Sequence, residues 1–308
     1  MKTSAFSALA LSIASLASVA RSADMIKIDG SSTVYPITEA VAEEFGKEAP
    51  KVRVTVGVSG TGGGFKKFCA GEVEIADASR TVKTSELQAC KAKKISLFEI
   101  PVAFDGISVV VNKKNDWVDT LTTEELTKIW GPGSKVKMWS DIRPNWPKRT
   151  IKLYGPGTDS GTFDYFTEAI NGKAAASRSD FVKSEDDNVL VKGIAGDLDS
   201  LGYFGYAYFQ ENKGEIRALD ITHEGKKVAP STETIKNGTY KPLGRKVYIY
   251  ANVAAAKENP QIFQFIKFYL DNAEELVKDV GYVPLEAKEY KAVLGKFENE
   301  VKNHKRAS

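Results

Sequence analysis

Histidine and cysteine are almost missing from this chain, with two of each in 308 residues. The histidines, His223 and His304, lie far apart and far from either cysteine. No ligand cluster for a metal can be read from them, and nothing calls for a cofactor. An excess of charge is also lacking. Lysine and arginine number 43 against 40 acidic residues, a formal charge of +3. So even a balance gives no case for nucleic acid or a membrane surface as partner. Any site for an anion has to be local. Past the first twenty residues no run is long and apolar enough to cross a bilayer. Internal repeats and low-complexity tracts are absent as well.

The first residues are a different material. Met1-Lys2 gives a positive start, and Ala5 to Ala20 is an uncharged run of small and apolar side chains. Small residues stand at Ser18 and Ala20. This pattern predicts a secretory signal peptide over 1–20, with cleavage after Ala20 or after Ala23. No cysteine follows the apolar run, so no lipid anchor is indicated. The expected product is an exported protein. In that compartment the pair Cys69 and Cys90 reads as a disulfide, contributing roughly 3 kcal/mol. Two buried free thiols are the alternative.

The length predicts one large or two medium domains. Met25 to Ile28 reads as a strand, and Val34, Ile37, Val41 and Phe45 recur at helical spacing after it. Val52, Val54, Val56 and Val58 alternate as a strand. Ser59 to Gly64 reads as a tight glycine-rich turn, with a helix beginning near Phe65. A third strand, loop and helix run from Ile151 through Gly155–Thr162 to Phe163. Repeated strand–loop–helix units predict an α/β sheet with its loops gathered at the carboxyl ends of the strands. Ile107 to Val111, Gly202 to Phe209 and Val247 to Val253 read as further strands. Leu121 to Trp130 reads as a helix with Thr122 as a cap, and Asn259-Pro260 opens a long helix. The tail from Lys302 is polar and expected to fray.

The three loops share one chemistry. Each is rich in Ser, Thr and Gly, follows a strand and precedes a helix. Free backbone N–H groups and the positive end of a helix dipole point there, and hydroxyls add donors that rotate to suit an oxyanion. A fourth segment, Asp77-Ala-Ser-Arg80, adds charge. Arg80 could form a bidentate pair with an oxyanion. Asp77 would accept a hydrogen bond from a protonated phosphate oxygen and repel sulfate, which carries no proton. A surface ion pair is the other reading of these two residues. Catalytic signals are weak. Asp159-Ser160-Gly161-Thr162 matches half of an aspartic-protease site, and no second copy exists. The glycine run lacks the Lys-Ser/Thr of a P-loop.

Together Gly30-Ser-Ser-Thr-Val-Tyr-Pro36, Val58-Ser-Gly-Thr-Gly-Gly-Gly-Phe65, Asp77-Ala-Ser-Arg80 and Gly155-Pro-Gly-Thr-Asp-Ser-Gly-Thr-Phe163 resemble the phosphate-binding proteins of ABC transporters, the PstS family. Phe104-Asp-Gly106 and Gly202 to Phe209 extend the match over nearly the whole mature chain. The resemblance implies the type II periplasmic-binding-protein fold: two mixed-sheet α/β lobes joined by a hinge, with phosphate in the cleft. One lobe is expected from 24–103 plus 245–308, the other from 104–244. It implies phosphate binding by Ser32, Thr33, Ser59, Asp77, Ser160, Gly161 and Thr162. Where members of this family carry an arginine, four residues before Ser160, this chain has Pro156, and Arg80 is the expected replacement. The implied protein is a periplasmic monomer, not an enzyme, that delivers inorganic phosphate to an inner-membrane permease. A binder of another oxyanion, or a scavenger without a transporter, is the alternative.

Overall fold

The computed structural model describes residues 25–304, apart from positions 159 and 185. The expected signal peptide lies outside the described residues. Strand β1 (Met25–Gly30) leads into helix α1 (Tyr35–Glu48), β2 (Arg53–Val58), α2 (Gly60–Ala70), β3 (Ile75–Ala78) and α3 (Thr84–Ala92). β1 pairs in parallel with both β2 and β3. The helices therefore start where the strands end, on one edge of the sheet. Pro36 suits the first turn of α1, because a helix leaves that N–H unbonded anyway. Ile37, Val41 and Phe45 are buried. They face the long helix Pro260–Asp279, where Phe45 meets Phe265 edge to face with centroids 5.3 Å apart.

β4 (Leu97–Asn112) is 16 residues long and changes partner midway. Leu97 to Gly106 pairs antiparallel with the returning strand Gly244–Asn252. Ile107 to Val111 pairs antiparallel with Ser200–Gly205. That strand pairs in parallel with Lys152–Pro156, which in turn pairs with Val182–Ser184. One continuous strand thus serves two groups of neighbours, and the protein is two-lobed α/β. The second group has its own core. Phe166 stacks on Tyr203 with centroids 3.7 Å apart, and Trp130 stands edge-on to both. Thr123–Trp130 is capped by Thr122, which accepts from the Glu125 N–H at 3.1 Å.

Three local expectations are corrected. Gly60–Gly64 is the first turn and a half of α2 rather than a separate loop. Glycine is needed there for close approach. A Cβ on Gly64 would lie 2.6 Å from the Gly30 Cα. Tyr206 to Phe209 belongs to the helix Tyr206–Asn212, not to the strand before it. The last helix, Ala287–Asn303, takes in Lys302, because Tyr290, Leu294 and Phe297 anchor one face of it, and the tail beyond 304 lies outside the described residues. Cys69 on α2 and Cys90 on α3 are disulfide-bonded at a separation of 21 residues. The bond ties the two helices that bring Gly60–Gly62 and Glu86 toward the same edge.

Candidate anion-binding site

The first loop is held from below and from across. The Ser31 N–H donates to the Asp77 carbonyl at 3.0 Å. The Thr33 N–H donates to Ser31 Oγ at 3.2 Å, and Tyr282 donates to the Thr33 carbonyl at 2.7 Å. Across the gap, Ser32 Oγ donates to Asp164 Oδ2 at 2.9 Å, and Thr33 Oγ1 to the Gly161 carbonyl at 3.3 Å. Gly161 opens the helix Gly161–Asn171, whose N-cap Ser160 accepts from the Thr162 N–H at 3.2 Å. The start of that helix thus sits directly on the first loop.

These segments enclose a cavity of about 180 Å³. Ser31, Ser32 and Thr33 line it from the first loop, Gly60, Thr61 and Gly62 from the start of α2. Ser79, Arg80 and Lys83 line it from the segment after β3. Asp164, Tyr165 and Glu168 line it from the facing helix, and Arg245 from the returning strand. Thr61 and Ser79 share a hydroxyl pair at 3.0 Å. A second hollow of about 430 Å³ is also lined by Ser79, Arg80, Tyr165, Glu168 and Arg245, so the two adjoin.

Of the residues singled out from sequence, Ser32, Thr33 and Arg80 line the cavity. Gly161 does not line it but lies against Thr33, which does. Ser160 and Thr162 are bonded to each other as the helix cap and do not line it. Ser59 is turned away. Its hydroxyl bonds the Asp29 carboxylate, which also holds Lys67 Nζ at 2.6 Å. Asp77 does not line the cavity. Strand alternation explains this. Ala76 and Ala78 face Phe65, Phe68 and Tyr250. Asp77 therefore points to the opposite side, where Thr38 Oγ1 donates to its Oδ1 at 3.0 Å. Tyr269 lies behind Thr38 at 3.3 Å.

Burial pushes the Asp77 carboxyl up to about 7; the Thr38 bond pulls it down and nearby Asp29 adds to the rise. Asp77 Oδ2 is buried with no hydrogen-bond partner among the described residues. The consequence for stability has a definite sign. The folded state holds this proton more tightly than the unfolded chain does. Asp77 is therefore neutral in both states below about pH 4, and it costs stability as pH rises through about 7. Asp77→Asn removes that titration and keeps an acceptor for Thr38. Relative to the parent, the variant should gain on the order of 2 kcal/mol between pH 5 and pH 8. Thermal melting at the two pH values checks this. A constant gap between variant and parent would show that Asp77 stays ionised in the fold.

A model of the PBP superfamily domain matches residues 16–273 of the chain. The phosphate-binding protein PstS of Staphylococcus saprophyticus is 38% identical over 275 residues, which are 89% of this chain and 84% of that one. The chain belongs to the PstS family. Protein SphX of Synechococcus elongatus is 50% identical over 276 residues, 89% of this chain and 81% of that one. A crystal structure of a possible phosphate binding protein from Planctomyces limnophilus superposes with a TM-score of 0.87 at 45% identity. It covers 90% of this chain and 99% of that one. PstS proteins are solute-binding proteins, and among the described residues no helix is long and apolar enough to cross a membrane.

For a PstS-family cavity, sequence reasoning missed, among others, Thr61, Lys83, Asp164, Tyr165, Glu168 and Arg245. Asp164 and Glu168 carried a readable signal. They are four apart on a helix that follows a Ser/Gly loop, so they share one face. Arg245 carried none. In the sequence it is one of two adjacent basic residues at the start of a strand.

Proposed function

We infer that this chain captures inorganic phosphate in the cavity between its lobes and delivers it to an ABC transporter. The observation that carries the reading is the convergence of hydroxyls, helix-start amides and cations on one small cavity. Three of the four segments on which the PstS likeness rests line it, and the fourth leads into the helix whose Asp164, Tyr165 and Glu168 face them. The ligand is held by Ser32 and Thr33, by the amides and hydroxyl of Gly60–Gly62, by Ser79 and by an arginine. Ser59, Asp77, Ser160, Gly161 and Thr162 act as the frame of that cavity.

The lobes divide near 103/104 and 244/245. The change of partner along β4 at Gly106 and Ile107 supports that division. The first loop, α2 and the segment after β3 then belong to one lobe, and the helix Gly161–Asn171 to the other. Closing the cleft brings the two sets of donors together. In this reading the protein is a periplasmic monomer that meets its permease at the inner membrane and performs no catalysis. Its signal peptide is removed on export.

Two carboxylates, Asp164 and Glu168, line the cavity. An oxyanion that keeps a proton can donate to them. One without a proton is repelled, and the more so where water is scarce. Calorimetric titration of the ligand-free protein with phosphate, arsenate and sulfate tests this. Phosphate and arsenate should bind, and sulfate should bind at least a hundredfold more weakly, a difference of about 2.7 kcal/mol. Equal binding of sulfate would overturn phosphate selectivity. No heat with any of the three would overturn the reading itself.

A further inference from the structure

Arg80 was the expected cation of this site, yet most of its hydrogen-bonding capacity is already used. Nη1 and Nη2 grip the two Glu86 oxygens at 2.9 and 2.8 Å, and Nη1 also donates to the Thr81 carbonyl at 3.1 Å. The charge is largely neutralised by that pair.

Arg245 has fewer of its N–H groups engaged, although Asp105 and Glu168 stand at ion-pair distance from it. It stands at the start of the returning strand, where the chain crosses between the lobes. Its guanidinium carbon lies 3.3 Å from the centroid of the Tyr165 ring. Nη2 donates to Thr33 Oγ1 at 3.0 Å. Nε is 3.7 Å from Asp105 Oδ2, and Nη1 is 4.0 Å from Glu168 Oε2. Both are beyond hydrogen-bond reach. An arginine has five N–H groups. Only the one on Thr33 is in a hydrogen bond among the described residues. Nε and Asp105 Oδ2 are both buried without a partner. The side chain is 17% exposed, against 29% for Arg80.

We propose that Arg245 is the cation that binds the anion in the cavity and couples its capture to closure of the lobes. The proposal rests on the phosphate reading given above. A guanidinium recognises a phosphate through two parallel N–H bonds, and Arg245 has the free fork that Arg80 lacks. Asp105 steers the group from 3.7 Å without occupying it. Coupling follows from position. The guanidinium touches Thr33 on one lobe and Tyr165 on the other, and these contacts coexist only when the cleft is shut. An anion seated on it therefore binds the closed form better than the open one, and that difference is what drives closure.

The test compares the parent with R245Q, R80Q, R245K and R80K. Each is titrated with inorganic phosphate by calorimetry, and its X-ray scattering is recorded with and without saturating phosphate. Loss of charged hydrogen bonds in a closed cleft should weaken R245Q by roughly ten- to a hundredfold, and R80Q by less than tenfold. R245K should recover part of the affinity, since an ammonium keeps the charge and lacks the fork. The contraction that phosphate causes in the parent should be diminished in R245Q. A loss in R245Q no larger than that in R80Q, or a full contraction in R245Q, overturns the proposal. Melting of the ligand-free variants shows whether they fold. Where R245Q does not, R245K and R80K decide in the same sense. A parent that binds no phosphate overturns the phosphate reading first, and this proposal with it.

Discussion

A single methyl group at position 161 is expected to cost the protein most of its affinity for phosphate while leaving its fold intact. A Cβ on Gly161 would lie 2.6 Å from the Thr33 Cα and 2.7 Å from the Thr33 nitrogen and the Ser32 carbonyl oxygen. All three are backbone atoms, so no side chain can rotate out of the way. Ordinary contact needs more than 3.4 Å, and the facing helix must withdraw by nearly an ångström. Hydrogen bonds between the two sides are then stretched past their useful length, beginning with Ser32 to Asp164 at 2.9 Å. An anion spanning both sides loses contact with one of them. Losing one or two such bonds predicts a drop of roughly ten- to a hundredfold in Gly161→Ala. The contacts within each lobe are untouched, so the melting temperature of the ligand-free variant should stay close to the parent's. Calorimetry and thermal melting together check this. Parental affinity in Gly161→Ala would mean that phosphate binds without the closed approach of helix and loop.

Gly30→Ala should act on folding itself, with a loss of about 4 kcal/mol or more. Gly30 has φ of +152°, where a Cβ is strained. The added carbon would fall 2.1 Å from the Asp77 carbonyl and 2.8 Å from its nitrogen. Those atoms belong to the pairing of β1 with β3, in which Gly30 stands opposite Asp77. The Ser31 N–H bond to the same carbonyl would go with it. Relief requires the two strands to part at the point where the first loop leaves the sheet. Denaturant unfolding measures the effect, and an unfolding free energy within about 1 kcal/mol of the parent's would refute it. At Gly133 nothing stands within 4 Å of an added Cβ, though φ is +73°. Gly133→Ala is therefore the control for backbone strain without a clash.

Much of this protein is legible in its sequence because the signals are local. The alternation of valines in β2, the spacing of Ile37, Val41 and Phe45, and the cap at Thr122 each act within a few residues. Each gives its element whatever the rest of the chain does. The loops at the helix starts are legible for the same reason, since Ser, Thr and Gly at a strand end expose amides wherever they occur. Which side chains reach the cavity is a different kind of fact. Asp77 stands in the right segment, yet the two-residue period of β3 turns its carboxyl toward Thr38, and it is Ser79, past the end of that strand, that lines the cavity. Arg80 reaches the cavity, but Glu86 on the next helix takes its fork. Arg245 is far from every loop in sequence. Only the pairing of its strand with β4, against Gly106 and Asp105, carries it to Thr33 and Tyr165. Propensity and pattern decide which elements form. The register of strands and the approach of one lobe to the other decide which charges are free, because burial and competing partners are properties of the packed chain alone.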